Sequence, residues 1–119
     1  NFKKDIMIYA ASNKPRLSFL YGRKVLTVHP AQIVRMEAKN NYTRVFFTDH
    51  PPILMAKVLR IYDELLGPHG FVRIHRSHLV NVQHVEEMDQ KGILRMNDSS
   101  QMEISRRKKR EVYTTLLHA

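Results

Sequence analysis

The chain has 119 residues with 20 Lys+Arg against 11 Asp+Glu, a formal charge of +9 and a pI near 10.1. That length gives one domain with a thin core, and 43% apolar content argues against disorder. The positive balance favours polyanions, nucleic acid first and acidic membrane surface second, while the lack of cysteine excludes disulfides, thiolate metal sites and a Cys nucleophile.

Residues 1–15 read as a linker or N-terminal extension with a short apolar patch at 6–11, enough for one strand or turn. From Arg16 the pattern becomes strand-like. Leu17, Phe19 and Tyr21 alternate, Gly22-Arg23 makes a tight turn, and residues 24–28 alternate again until Pro30. Residues 33–38 and 42–48 form two more strands around Lys39-Asn40-Asn41, the second rich in β-branched and aromatic residues. After Asp49-His50-Pro51-Pro52, residues 53–56 form a short strand. Residues 57–66 change period. Val58, Ile61, Tyr62 and Leu65 recur at helical spacing until Gly67-Pro68. Strand character returns at 71–76 and 79–88, then at 93–96 and 101–104 after two turns. Residues 106–117 form a terminal helix with Val112, Tyr113, Leu116 and Leu117 on its apolar side. Many short strands and about two helices make a mostly β, largely antiparallel domain.

The charge is uneven. Residues 1–60 hold 11 Lys+Arg against 3 Asp+Glu, net +8, and residues 61–119 hold 9 against 8, net +1. In the second half the cations gather at Arg73, Arg76 and Arg106 to Arg110. No apolar run approaches the ~18 residues of a membrane span, and no signal peptide pattern is present. Beginning at Asn, the chain reads as a piece of something longer, and its composition suits the cytoplasm.

Three segments carry more hydrogen-bonding groups than a structural element needs. In F-V-R-I-H-R-S-H-L-V-N-V, residues 71–82, strict alternation places Phe71, Arg73 and His75 on one face and Val72, Ile74 and Arg76 on the other. A guanidinium beside Val72 and Ile74 is costly without a partner. Ending the strand near His75 instead projects Arg76 from a loop, where His75, Arg76 and Ser77 offer donors to a phosphate or base edge. An internal salt bridge from Arg76 to a carboxylate such as Glu37 accounts for it equally well. In S-R-R-K-K-R, residues 105–110, five adjacent cations sit where the helix macrodipole disfavours them. A solvated helix face is the ordinary explanation of a charge run, but a bound phosphate removes both the mutual repulsion and the dipole conflict. Lys39-Asn40-Asn41-Tyr42-Thr43-Arg44 suits base and phosphate contacts and serves equally as a hairpin turn.

Enzyme and metal readings lack parts. His75, His78 and His84 have no H-E-x-x-H around them and no carboxylate in ligand register, and the four glycines form no phosphate-binding loop. No cofactor is expected.

M-E-A-K-N-N-Y-T-R-V, F-V-R-I-H-R-S-H-L-V-N and M-E-I-S-R-R-K-K-R-E-V, in that order and spacing, closely resemble the LytTR DNA-binding domain family. The resemblance covers residues 16–117. It implies an elongated arrangement of small antiparallel sheets with about two helices, over residues 16–119. It also implies sequence-specific binding of double-stranded DNA by a bacterial transcriptional regulator, with loops inserted in successive major grooves. Carried over by position, Asn41, Tyr42, Thr43, Arg76 and Arg106 would contact bases. Lys39, Arg44, His75, Ser77, Arg107 and Lys108 would contact phosphates. Some family members have a histidine in the first loop where this chain has Asn-Tyr-Thr, which leaves the base read there unassigned. An upstream receiver or sensor domain is implied, and dimerisation on DNA is left open. The alternative, from charge alone, is a basic module docking on acidic protein or membrane surfaces.

Overall fold

The computed structural model describes residues 6–9 and 15–119; part of the 1–15 linker reading therefore lies outside the described residues. Eleven described strands form three antiparallel sheets. The first joins β1 (Ile6–Tyr9), β2 (Arg16–Tyr21) and β3 (Lys24–Val28), so the 6–9 segment pairs with the domain as a strand. The central sheet has the order β6-β5-β4-β8-β7, from β4 (Ile33–Lys39), β5 (Tyr42–Phe47), β6 (Ile53–Met55), β7 (Phe71–His75) and β8 (His78–Asn81). The third contains β9 (Val85–Met88), β10 (Ile93–Met96) and β11 (Gln101–Glu103). Helix α1 (Leu59–Leu66) lies between β6 and β7 in the chain, and α2 (Lys109–Leu117) follows β11. The extents of 43 × 34 × 25 Å match the expected elongated arrangement.

The central sheet separates two cores. On one face Met36, Val45 and Leu79 pack with Leu17 and Phe19 of β2 and with Leu59, Tyr62 and Leu66 of α1. Phe19 stacks on Tyr62 with ring centroids 6.4 Å apart. On the other face Val34, Ile74 and Val80 pack with Leu94 and Met96 of β10, with Met102 of β11, with Ile104 just after it, and with Val112 of α2. Each core is thin, and the sheet is stabilised because both of its faces are covered.

Three readings of the elements are corrected. Residues 79–88 are not one strand. Asn81 ends β8, and its side chain accepts from the Gln83 amide at 3.1 Å to start a 3-10 turn before β9. The first helix begins at Leu59 rather than Lys57. The basic run opens as a 3-10 turn over Arg106–Lys108, with α2 starting at Lys109.

Candidate nucleic-acid interface

The first loop is the β4–β5 hairpin. Lys39 pairs with Tyr42, so only Asn40 and Asn41 form the turn. Asn40 adopts φ 57°, a left-handed conformation that Asn tolerates better than most residues. Lys39, Asn40, Asn41 and Tyr42 are exposed, Tyr42 by 46%. Arg44 is half-buried on β5, opposite Glu37. Thr43 departs from expectation. It is fully buried, and its Oγ1 donates to the Lys57 carbonyl at 2.6 Å. A side chain held there cannot reach a base. It fastens the base of the hairpin to the turn leading into α1.

The second loop is the β7–β8 hairpin, closed by Arg76 and Ser77 between His75 and its partner His78. As the loop reading required, β7 ends at His75 and Arg76 is exposed; among the described residues no carboxylate pairs with its guanidinium. It is Arg35 that meets Glu37, at 3.4 Å. Strict alternation fails here, because a bulge between Arg73 and His75 brings His75 to the side of His78, with ring centroids 5.6 Å apart. Arg73 braces the turn, donating from Nε to the His75 carbonyl at 3.3 Å and from Nη2 to the Arg76 carbonyl. The Ser77 amide donates to His75 Nδ1 at 3.1 Å, and its carbonyl accepts from the Ala38 amide at 2.9 Å. That last bond ties the second loop to the strand that leads into the first.

The third loop runs from Ser105 to Lys108. The Ser105 amide donates to the Ile74 carbonyl at 2.9 Å, and Lys108 Nζ donates to the Arg73 carbonyl at 3.1 Å. The loop thus lies along the outer edge of β7. Arg106 and Arg107 are exposed, whereas Lys108 is half-buried and anchors the loop. Between the second and third loops is a cleft of about 520 Å³ lined by Asp63, Arg73, His75, Arg76 and residues 105–108.

The topology therefore collects three loops at one end of the central sheet. Antiparallel pairing of Glu37 with His78 sets the tips of the first and second hairpins side by side, and the docked 105–108 segment adds the third. Behind them His78 is held below the usual imidazole range by burial, with Glu37 opposing and His75 and Arg35 reinforcing the shift. Nδ1 of His78 is buried without a hydrogen-bond partner among the described residues.

The model of the LytTr DNA-binding domain family matches residues 23–117. The chain belongs to that family. It is a DNA-binding domain of the kind used in transcription regulation. Transcriptional regulatory protein LytR from Staphylococcus aureus strains N315 and NCTC 8325 is 30% identical over 67 residues, 56% of this chain. Those residues span 27% of the LytR length. Among solved structures, the LytTr DNA-binding domain of a methyl-accepting/DNA response regulator from Bacillus cereus superposes with a TM-score of 0.69. It is 22% identical, covering 87% of this chain and 97% of that one, a likeness of fold.

Two residues of this LytTr domain escaped the sequence reading. Arg73 resembles a strand cation but works as a brace, a role set by the bulge and therefore invisible to alternation. Asp63 sits on an amphipathic helix and enters the cationic cleft only because α1 packs beside β7. No sequence spacing joins it to residues 105–108. Among the described residues no helix is long and apolar enough to cross a membrane.

Proposed function

We propose that the domain reads double-stranded DNA in a sequence-specific manner, with its three loops entering successive major grooves. One observation carries this reading: Asn41, Tyr42, Arg76, Arg106 and Arg107 are exposed at the tips of three loops joined end to end by backbone hydrogen bonds. Arg76 and Arg106 suit guanine, each through a bidentate pair, and Asn41 suits adenine, with Tyr42 beside it. Lys39, Arg44, Ser77 and Arg107 serve phosphates, and His75 can add its Nε2–H. Lys108 and Thr43 act from behind, holding the third and first loops. Fusion to a receiver or sensor domain, a place in a bacterial two-component system and a cytoplasmic setting belong to this reading, as does pairing of two copies on DNA. The regulatory and response-regulator part of this reading is supported by the names of the proteins that the chain resembles.

Selection of bound sites from random duplexes at two salt concentrations tests it. An enriched motif is expected at both. Arg106→Ala should then cost about 1–3 kcal/mol on the selected site and relax preference at one position. Arg107→Ala should weaken selected and random duplexes alike. Binding to anionic vesicles as tight as to DNA, with no enriched motif, would instead favour a basic docking module.

A further inference from the structure

Ser77 is fixed from two sides. Its carbonyl accepts from the Ala38 amide at 2.9 Å, and its amide donates to His75 Nδ1 at 3.1 Å. The second bond requires a lone pair on Nδ1, so it exists only with a neutral ring carrying its proton on Nε2. Among the described residues the Ala38 bond, the Arg73 brace and the His75–His78 strand pairing also hold the two-residue turn that carries Arg76.

We propose that His75 is a positioning residue for base reading, whose neutral Nδ1 latches Ser77 and so sets Arg76 in register with the first loop. This deepens the DNA-reading proposal and rests on it. A protonated Nδ1 becomes a donor facing a donor, and the latch opens. The added positive charge meanwhile strengthens attraction to any phosphate backbone. Acidification should therefore have two opposite effects. Affinity for random DNA rises, and the ratio of specific to random affinity falls.

The surroundings show which groups could compete for that response. His78 on β8 meets the ring, and Arg73 on β7 binds the His75 carbonyl. Arg35 and Glu37 on β4 face His78, with Arg44 on β5 opposite Glu37. Asp63 of α1 and Arg76, Arg106, Arg107 and Lys108 line the same cleft. As classes, guanidinium and ammonium groups ordinarily keep their charge across this range, and carboxylates ordinarily titrate near 4. Burial, above all, lowers the His78 pKa below the usual imidazole value.

The test measures affinity for the selected duplex and for a scrambled duplex of equal length, at fixed salt, from pH 8 to pH 5.5. For the unaltered chain the ratio should fall about three- to tenfold, the worth of one lost hydrogen bond. His75→Asn places an amide oxygen near the position of Nδ1 without a titrating group, and it should hold the ratio level across the range. His75→Ala should show the low ratio at every pH. If that variant does not fold, the comparison with His75→Asn still decides. A level ratio in the unaltered chain would overturn the latch, as would a pH response that persists in His75→Asn. A response abolished by His78→Asn while His75 is intact would assign the titration to His78 and also overturn it. Absence of any preference at pH 8 would remove the DNA-reading proposal itself. A preference that stays constant with pH removes only the latch.

Discussion

Asn81 stands at the end of β8 remote from the loops, almost fully buried, with its amide donating to the Pro30 carbonyl at 3.1 Å and the Ile33 carbonyl at 2.9 Å. Its oxygen accepts from the Gln83 amide at 3.1 Å. Asn81→Asp would exchange a two-donor group for an acceptor facing two acceptors, at a cost of roughly 2–4 kcal/mol. Repulsion from the two carbonyls raises the folded-state pKa of the new carboxyl above its unfolded value. The protonated acid is therefore the form that folding tolerates, and the deficit grows as pH rises through the raised value. Urea midpoints should show a larger loss at pH 8 than at pH 4.5; equal losses would refute this account of Asn81. Residues of this kind mark where the sequence ceased to be legible. Arg76 could be assigned to a loop tip because a guanidinium in an apolar strand is costly wherever the chain goes; Arg106 reads locally as the first residue of a helix, and only the family resemblance puts it in a loop. Thr43 and Asn81 could not be placed, because their partners lie 14 and about 50 residues away. Only the folded sheet reveals that each is already satisfied by a backbone carbonyl.

Elements were legible to the extent that local chemistry ends them. Pro30, Gly67-Pro68 and Asp49 to Pro52 punctuate the chain, and the strands and helix around them fall close to expectation. The 79–88 stretch has no such mark, since the break at Asn81 is a side-chain cap inside an apolar run. Nor does sequence announce the bulge at Arg73/His75, which decides the side that His75 faces. The third loop depends on α2, and α2 depends on little. Val112 is its one buried residue, with Leu116 partly buried beside the second core. Val112→Ala removes roughly 1–3 kcal/mol of burial from that attachment. Hydrogen exchange should report faster opening of α2 amides with the β4, β5 and β8 amides still protected, because those strands lie in the middle of the central sheet. Specific DNA affinity should fall with α2 protection as Arg106 loses its support. Uniform loss of protection across both cores would show that α2 is integral to a single folding unit.

At the scale of the whole molecule the issue is whether the net charge of +9 or its placement governs DNA affinity. Counterion release depends on phosphates neutralised at the contact, with a slope near −0.9 per phosphate in log affinity against log salt. Lys39, Arg44 and Arg107 suggest a slope of about −3. Lys39→Ala with Arg107→Ala should flatten it by about two units on selected and random duplexes alike. Glu87→Lys changes the net charge by the same amount in the opposite direction, but in another place. Glu87 pairs with Arg95 at 3.0 Å and lines a groove with Leu117 and Ala119, at the end of α2 remote from Arg106. Nine residues of helix span about 13 Å, beyond the roughly 10 Å screening length at 0.1 M salt. Losing that exposed ion pair should alter stability by less than about 1 kcal/mol, and the salt slope should stay within error of the unaltered chain. If Glu87→Lys steepens the slope as much as the double substitution flattens it, the domain binds through its overall field. The clustering of loops at one end of the sheet would then not be what sets its affinity.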